Sequence, residues 1–181
     1  KKLNKLENDH VFDLSSITKI LATMPLVIQE YETGNLSLNT KLNELFPKRK
    51  LADKGEITLK EMLSHFARLR PWIPFYEETL NRKEKPKSRF YKTNFRSSFS
   101  TPVSENLYLK KNYKDKIFKS IVESELIDKL EFKYSDLPFY FLKFWFEEIY
   151  NKPLDLLAEE RIFNKLQLER TMFNPYKKIK L

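Results

Sequence analysis

The sequence predicts a mainly α chain, and three observations carry that expectation. Only two glycines, Gly34 and Gly55, occur in 181 residues, where average usage of roughly 7% would give about a dozen. Turns, bulges and phosphate loops that need glycine are therefore scarce. Apolar residues recur at helical spacing in several runs, whereas convincing strand alternation and internal repeats are nearly absent. The length suits one domain with its own core, or a large piece of a bigger one.

Taken in order, residues 16–31 place Ile20, Leu21, Met24, Val27, Ile28 and Tyr31 on one helical stripe, and Gly34 follows as a stop signal. Pro25 falls inside this helix and should kink it or remove a hydrogen bond. A loop through LSLNTKLNELFP and a charged linker lead to Glu56. Thr58 and Glu61 then make a T-x-x-E capping box that opens a second helix, LKEMLSHF. Residues 117–130 read as a third helix, with Ile117, Ile121, Val122 and Leu126 on one face. A fourth begins at Asp136 as N-cap with Pro138 in its first turn and Phe139, Leu142, Phe146 and Ile149 as its inner stripe. Pro153 opens a fifth, PLDLLAEERIF.

Composition narrows the chemistry. Apolar residues make up 41% and charged residues 33%, with 15 Phe, 9 Tyr and 2 Trp, a globular balance well away from disorder. There is no cysteine, so disulfides and thiolate metal sites are excluded. His10 and His65 lie far apart without an H-E-x-x-H arrangement, so neither a metal nor an organic cofactor is expected. The longest apolar stretch, residues 137–146, is interrupted by Lys143 and falls short of the ~20 residues a membrane helix needs, which makes it a buried helix. Lys1 and Lys2 lead into polar LNKLENDH, not into the apolar run of a signal peptide.

The net charge of +9 is local. Residues 81–116 hold eleven Lys or Arg against three acidic residues, so this basic insertion alone carries +8. It interleaves Phe90, Tyr91, Phe95, Phe99 and Tyr108, a mixture that could stack on bases or sugars. No helix-turn-helix, RNP or zinc-finger pattern accompanies it, which leaves nucleic acid as a minor reading. The others are a solvated loop with its aromatics tucked beneath, or a lid that recognises an anionic substrate.

Ser16 and Lys19 pose the chemical question. Ser16 falls at the edge of the buried stripe, and a side chain at i+3 points back toward residue i, so the Lys19 amine can reach the serine hydroxyl. A serine is a poor nucleophile until something takes its proton, and a lysine can do so only when neutral, a state that burial favours. Exposed N–H groups at the helix start would favour an oxyanion. The plain alternative is Ser15 or Ser16 as a helix cap with Lys19 solvated.

Four segments in order carry a family resemblance: FDLSSITKILATMPLVIQEYETGNLSLNTKLNELFP, ITLKEMLSHFARL, KYSDLPFYFL and PLDLLAEERIFNKLQLERTMFNP. Together they resemble the serine β-lactamase and penicillin-binding-protein superfamily, in its class C-like esterase and carboxypeptidase branch, where S-x-x-K is a signature. SHFARLRPWIPFY and KYSDLPFYFLK look similar to a module that some bacterial envelope proteins carry behind a family-three glycoside hydrolase domain. The resemblance implies Ser16 as acylated nucleophile, Lys19 as its base or proton relay, and Tyr134 as the second relay. Asp136 stands where the family has an Asn. A carboxylate there would stabilise charged lysine. Arg68, Gln167 and Pro138 stand where the family has glycine, and Phe66 and Ala67 replace small polar residues.

No K-T-G or H-x-G triplet follows Tyr134, the ETG at residues 32–34 reads as a helix stop, and only fifteen residues precede Ser16. The resemblance therefore implies the helical lobe of a β-lactamase/transpeptidase-like α/β fold with the sheet largely missing, residues 1–181 forming a single domain fragment. The expected function is a serine hydrolase forming an acyl-enzyme on an ester, a D-amino-acid peptide or a β-lactam, in the bacterial cell envelope or periplasm, with the piece alone inactive. Small-molecule or cell-wall peptide substrates follow, with Arg89, Lys92 and Arg96 as candidate substrate-binding cations. A non-catalytic binding module on the same fold, or a basic binder of nucleic acid or another anionic polymer, is the alternative.

Overall fold

The computed structural model describes Lys5, Glu7, residues 10–175 and Lys178; the opening at Lys1 and Lys2 lies outside the described residues. Helices dominate. The first starts with three tight turn bonds, Ile17 N–H to Leu14 O, Thr18 N–H to Ser15 O and Lys19 N–H to Ser16 O. It then widens into a π-turn over Lys19–Thr23 before continuing as α1, Met24–Glu32. Pro25 explains the widening. It has no N–H, and its ring crowds the carbonyl four residues back. The turn ahead of it opens so that Met24 N–H reaches Lys19 O. Gly34 ends the helix at φ +77°, a left-handed conformation that costs glycine nothing.

The expected stripe of this helix is corrected. Ala22, Thr23, Leu26, Val27 and Glu30 are buried, while Ile20, Ile28 and Tyr31 are exposed. A π-turn adds a residue to one turn and so rotates every position beyond it, and Glu30 is anchored inward by Asn35, Tyr150 and Arg161.

The loop expected before Glu56 contains a short helix, α2 at Leu42–Leu45, and a 3₁₀ turn at Ala52–Lys54. The capping box is present. Glu61 N–H donates to Thr58 Oγ1 at 3.2 Å and Thr58 N–H donates to Glu61 Oε2 at 2.8 Å, which opens α3, Leu59–Leu63.

Residues 81–116 form three strands that the sequence reading did not anticipate: β1 Tyr91–Lys92, β2 Thr101–Ser104 and β3 Leu107–Leu109, in the order β1-β3-β2, all antiparallel. Pro102 sits on an edge strand, where a missing N–H is tolerated. Next, α4 spans Tyr113–Glu123, not 117–130. Its end is fixed by Lys54, wholly buried, whose Nζ donates to Val122 O and Ser124 O, two carbonyls the finishing helix leaves over.

The long α5, Leu137–Tyr150, carries Pro138 in its first turn as expected. Asp136 occupies the cap position but makes no side-chain cap bond; Leu137 N–H donates to Ser135 Oγ at 3.2 Å instead. Its buried face is wider than the expected stripe, taking in Phe141, Phe144 and Trp145 and leaving Ile149 exposed. Phe118 of α4 packs edge-on against Phe46, Phe141 and Phe144, the aromatic centre of the core. The chain closes with α6, Leu154–Ala158, and a second π-turn at Glu159–Phe163. Among the described residues no helix is long and apolar enough to cross a membrane.

Candidate active site

The start of the first helix and the turn before α5 meet at one place. Asp13 accepts a hydrogen bond from Ser15 N–H at 2.8 Å, and Ser15 takes φ 43°, which aims the chain into the helix with Ser16 on the surface. Lys19 Nζ donates to Ser16 Oγ at 3.1 Å and pairs with Asp136 Oδ1 at 2.7 Å. That contact is an ion pair only: Oδ1 is buried and accepts no well-aligned hydrogen bond. The same ammonium lies 5.4 Å from the Tyr134 ring centre and 5.6 Å from that of Phe139, within cation–π range of both. Ser16, Lys19, Tyr134 and Asp136 are thus brought together.

The electrostatics reverse one expectation. Burial does act to lower the Lys19 pKa, but the close charged contact with Asp136 and the contact with Tyr134 outweigh it and hold the amine above its ordinary range. A raised pKa favours the ammonium form of Lys19, which donates to Ser16. Tyr134 moves the other way: hydrogen bonding to Ser16, then to Lys19, lowers its phenol below the usual value. A phenol pushed toward ionisation beside a serine hydroxyl is the better proton acceptor. Of the helix-start amides, those of Ile17, Thr18 and Lys19 are spent on turn bonds, while the Ser16 N–H makes no such bond among the described residues.

His65 belongs to this site, and the sequence reading gave it no part. Its backbone takes φ 60°, its carbonyl accepts from Lys133 N–H at 2.9 Å, and its Nδ1 accepts from Ser135 N–H at 3.2 Å. Its ring lies 4.6 Å from the Tyr134 ring. Burial first, then the nearby Lys19 charge, pushes the imidazole pKa down, which keeps Nδ1 free to accept. Ser135 Oγ donates in turn to Arg70 O at 2.6 Å, and Asp136 N–H donates to Pro71 O at 2.8 Å. The turn bearing Tyr134 and Asp136 is therefore pinned at four points to residues 65–71. The sequence signal was the adjacency of His65 to the end of α3, which has no meaning until the two segments meet.

Arg89, Lys92 and Arg96 make ring and backbone contacts within the basic insertion. Arg89 covers the Phe90 ring at 4.7 Å, Lys92 lies 5.5 Å from the Phe99 ring, and Arg96 pairs through its backbone with Phe99. Among the described residues none of the three hydrogen-bonds or ion-pairs with the four site residues. A cavity of about 600 Å³ beside the helix start is lined by residues including Phe12, Thr18, Leu21, Phe163 and Phe173, and by none of the four site residues. Among the described residues no three His, Asp or Glu side chains gather as a metal-holding group.

A serine, an ammonium and a phenol on a mainly helical frame define a class that comparison with known proteins makes definite. The beta-lactamase family model matches residues 2–180, and the chain belongs to that family, within the serine β-lactamase and penicillin-binding-protein superfamily. It is 25% identical over 182 residues to the N-acetylmuramyl-L-alanine amidase of Bacillus subtilis strain 168, covering 96% of this chain and 36% of that protein. It is 28% identical over 155 residues to a provisionally named D-alanyl-D-alanine carboxypeptidase of Salmonella typhimurium, covering 80% and 34%. Among solved structures, a provisionally described beta-lactamase of Bacteroides dorei DSM 17855 superposes with a TM-score of 0.56 at 18% identity, over 85% of this chain and 38% of that one. The hydrolase EstCE1 gives 0.50 at 19%, over 84% and 36%. These two show the fold. The chain spans about a third of the length of these relatives.

Two positions where the resemblance has glycine are informative. Arg68 takes φ 56° and Gln167 takes φ 55°, so the left-handed backbone is kept without glycine. Arg68 is held by Nε–H donating to Ile127 O and by Ile127 N–H donating to its own carbonyl.

Proposed function

We propose that this chain is the helical lobe of a serine hydrolase domain that forms an acyl-enzyme at Ser16 on an ester, a D-amino-acid peptide or a β-lactam in the bacterial cell envelope. The reading rests above all on the 3.1 Å contact of Lys19 Nζ with Ser16 Oγ, joined by Tyr134 from a distant segment. Relatives named for cell-wall amide substrates support the substrate class and the location.

In this reading Tyr134, when in its phenolate form, takes the Ser16 proton as Oγ attacks the carbonyl carbon. Lys19 stays charged, lowers the Tyr134 pKa and screens the developing negative charge. Tyr134 then returns its proton to the departing nitrogen or oxygen as the carbonyl–heteroatom bond breaks. Water, losing its proton to the same phenolate, releases the acid and restores Ser16. Asp136 positions Lys19. Arg89, Lys92 and Arg96 favour carboxylate-bearing substrates.

A fluorophosphonate label tests the chemistry in the longer polypeptide that supplies the rest of the domain: covalent mass added at Ser16, and lost in Ser16→Ala, is the expected result. The 181 residues alone are expected to show no turnover. A second reading, a binding module without catalysis, is favoured by one observation, the Asp136 carboxylate that keeps Lys19 charged. A folded protein that takes up no label would select it.

A further inference from the structure

Residues 81–112 are ordered, yet not one of them is buried. They hold nine Lys or Arg against Glu84 and Glu105, and among the described residues none of the nine forms an ion pair. Ordering each residue costs conformational entropy, and crowding like charges adds repulsion. Partial burial of Phe90, Tyr91, Phe99 and Leu107 offsets only part of this.

The order comes from polar bonds and small ring contacts. Asn81 Oδ1 accepts from Lys83 N–H at 2.8 Å and from Lys85 N–H at 3.1 Å, which folds the first basic loop. Lys110 N–H donates to Phe90 O and Lys111 N–H to Ser98 O, both at 2.9 Å, tying β3 to the other strands. The segment thus displays its cations on a hydrogen-bonded frame. We infer that this three-stranded platform is a docking surface for a linear acidic polysaccharide, gripped by Arg82, Lys83, Lys85, Arg89, Lys92 and Arg96.

Two observations favour a polysaccharide over the other polyanions. Arg89 covers Phe90, Lys92 covers Phe99, and Tyr108 meets Phe95 edge-on at 5.9 Å, so Phe95 is the one largely exposed ring of the platform and no row of free rings offers successive bases a stacking shelf. Phe95 and Val103 are the large apolar groups exposed there, which is little for a bilayer to take up. The inference rests on the proposed function in one respect: a hydrolase of the envelope meets acidic glycans beside its substrate.

The test passes the 181-residue chain over immobilised alginate, a polyuronate. Retention at low salt, elution as salt rises, and no retention on neutral dextran are expected. Replacing the six cations by Gln should weaken binding by more than about tenfold, as removal of that many ionic contacts does for polyanion binders. Neutralising Lys48, Lys50, Lys60, Lys119, Lys133 and Lys165 instead should leave it nearly intact. Equal loss in both variants would reduce the effect to net charge and overturn the proposal. Tighter binding to a dT20 oligonucleotide or to phosphatidylglycerol vesicles than to alginate would overturn it in favour of nucleic acid or membrane. Ser16→Ala should not change retention, so this inference and the hydrolase reading fail separately.

Discussion

Lys19 of the first helix and Asp136 at the head of α5 form an ion pair at 2.7 Å, and this contact is the largest of those that raise the Lys19 pKa. The Lys19 side chain is 16% exposed, a degree of burial that by itself would push the amine toward neutrality. The carboxylate reverses the outcome. Tyr134, whose phenol the same ammonium helps to hold below its ordinary pKa, is the proton acceptor in the proposed mechanism.

The charge of Lys19 is directly measurable. Its ¹³Cε shift, followed against pH, should titrate above the ordinary 10.5, and in Asp136→Asn the midpoint should fall, since only Tyr134 then opposes burial. A folded pKa above the unfolded one means that the pair's contribution to stability is complete below pH 10.5 and is lost as pH rises through the folded value. An unchanged midpoint in Asp136→Asn would refute the assignment.

His65 should hold the turn through an acceptor nitrogen. His65→Phe keeps a ring against Tyr134 and Phe139 but strands the Ser135 N–H, at a cost of about 1–3 kcal/mol in denaturant unfolding. The imidazole pKa is depressed, so its contribution is present above pH 6.5 and is lost as pH falls through the folded value. Unfolding curves on either side of pH 6.5 should show this loss in the parent and not in the variant.

Glu30 is 2% exposed and accepts from Asn35, Tyr150 and Arg161, joining α1 to α5 and the second π-turn. Glu30→Ala leaves a partly buried guanidinium without its carboxylate and should cost about 3–5 kcal/mol. Burial alone would raise the carboxyl pKa, but the three hydrogen-bond donors and the Arg161 charge lower it below 4.5. The gap between parent and variant, read from thermal melts, should persist above pH 4.5 and close as pH falls through the depressed folded value.

Gln167 is exposed and holds φ 55°. A left-handed non-glycine residue costs about 1–2 kcal/mol, and glycine gives back part of that gain through a more flexible unfolded chain. Gln167→Gly should raise stability by up to about 1 kcal/mol. The matching change at Arg68 should not, because it removes the bond from Nε to Ile127 O.

What the sequence determined by itself was local. Ser16 and Lys19 lie one turn apart, so their contact follows from helix geometry, and the Thr58–Glu61 box and Pro138 mark helix starts because their partners lie within three or four residues. The capping assigned to Asp136 was wrong for the complementary reason. A carboxylate at a helix start can cap or can pair with a distant cation, and only the approach of Lys19 chose between them. His65 as an acceptor, the π-turn that rotates the first helix's buried face, the Lys54 stop at the end of α4 and the three strands of the basic platform all depend on partners remote in the chain. Short-range order is written in spacing, whereas protonation states and pinned turns arise when burial removes water and leaves distant segments to satisfy one another.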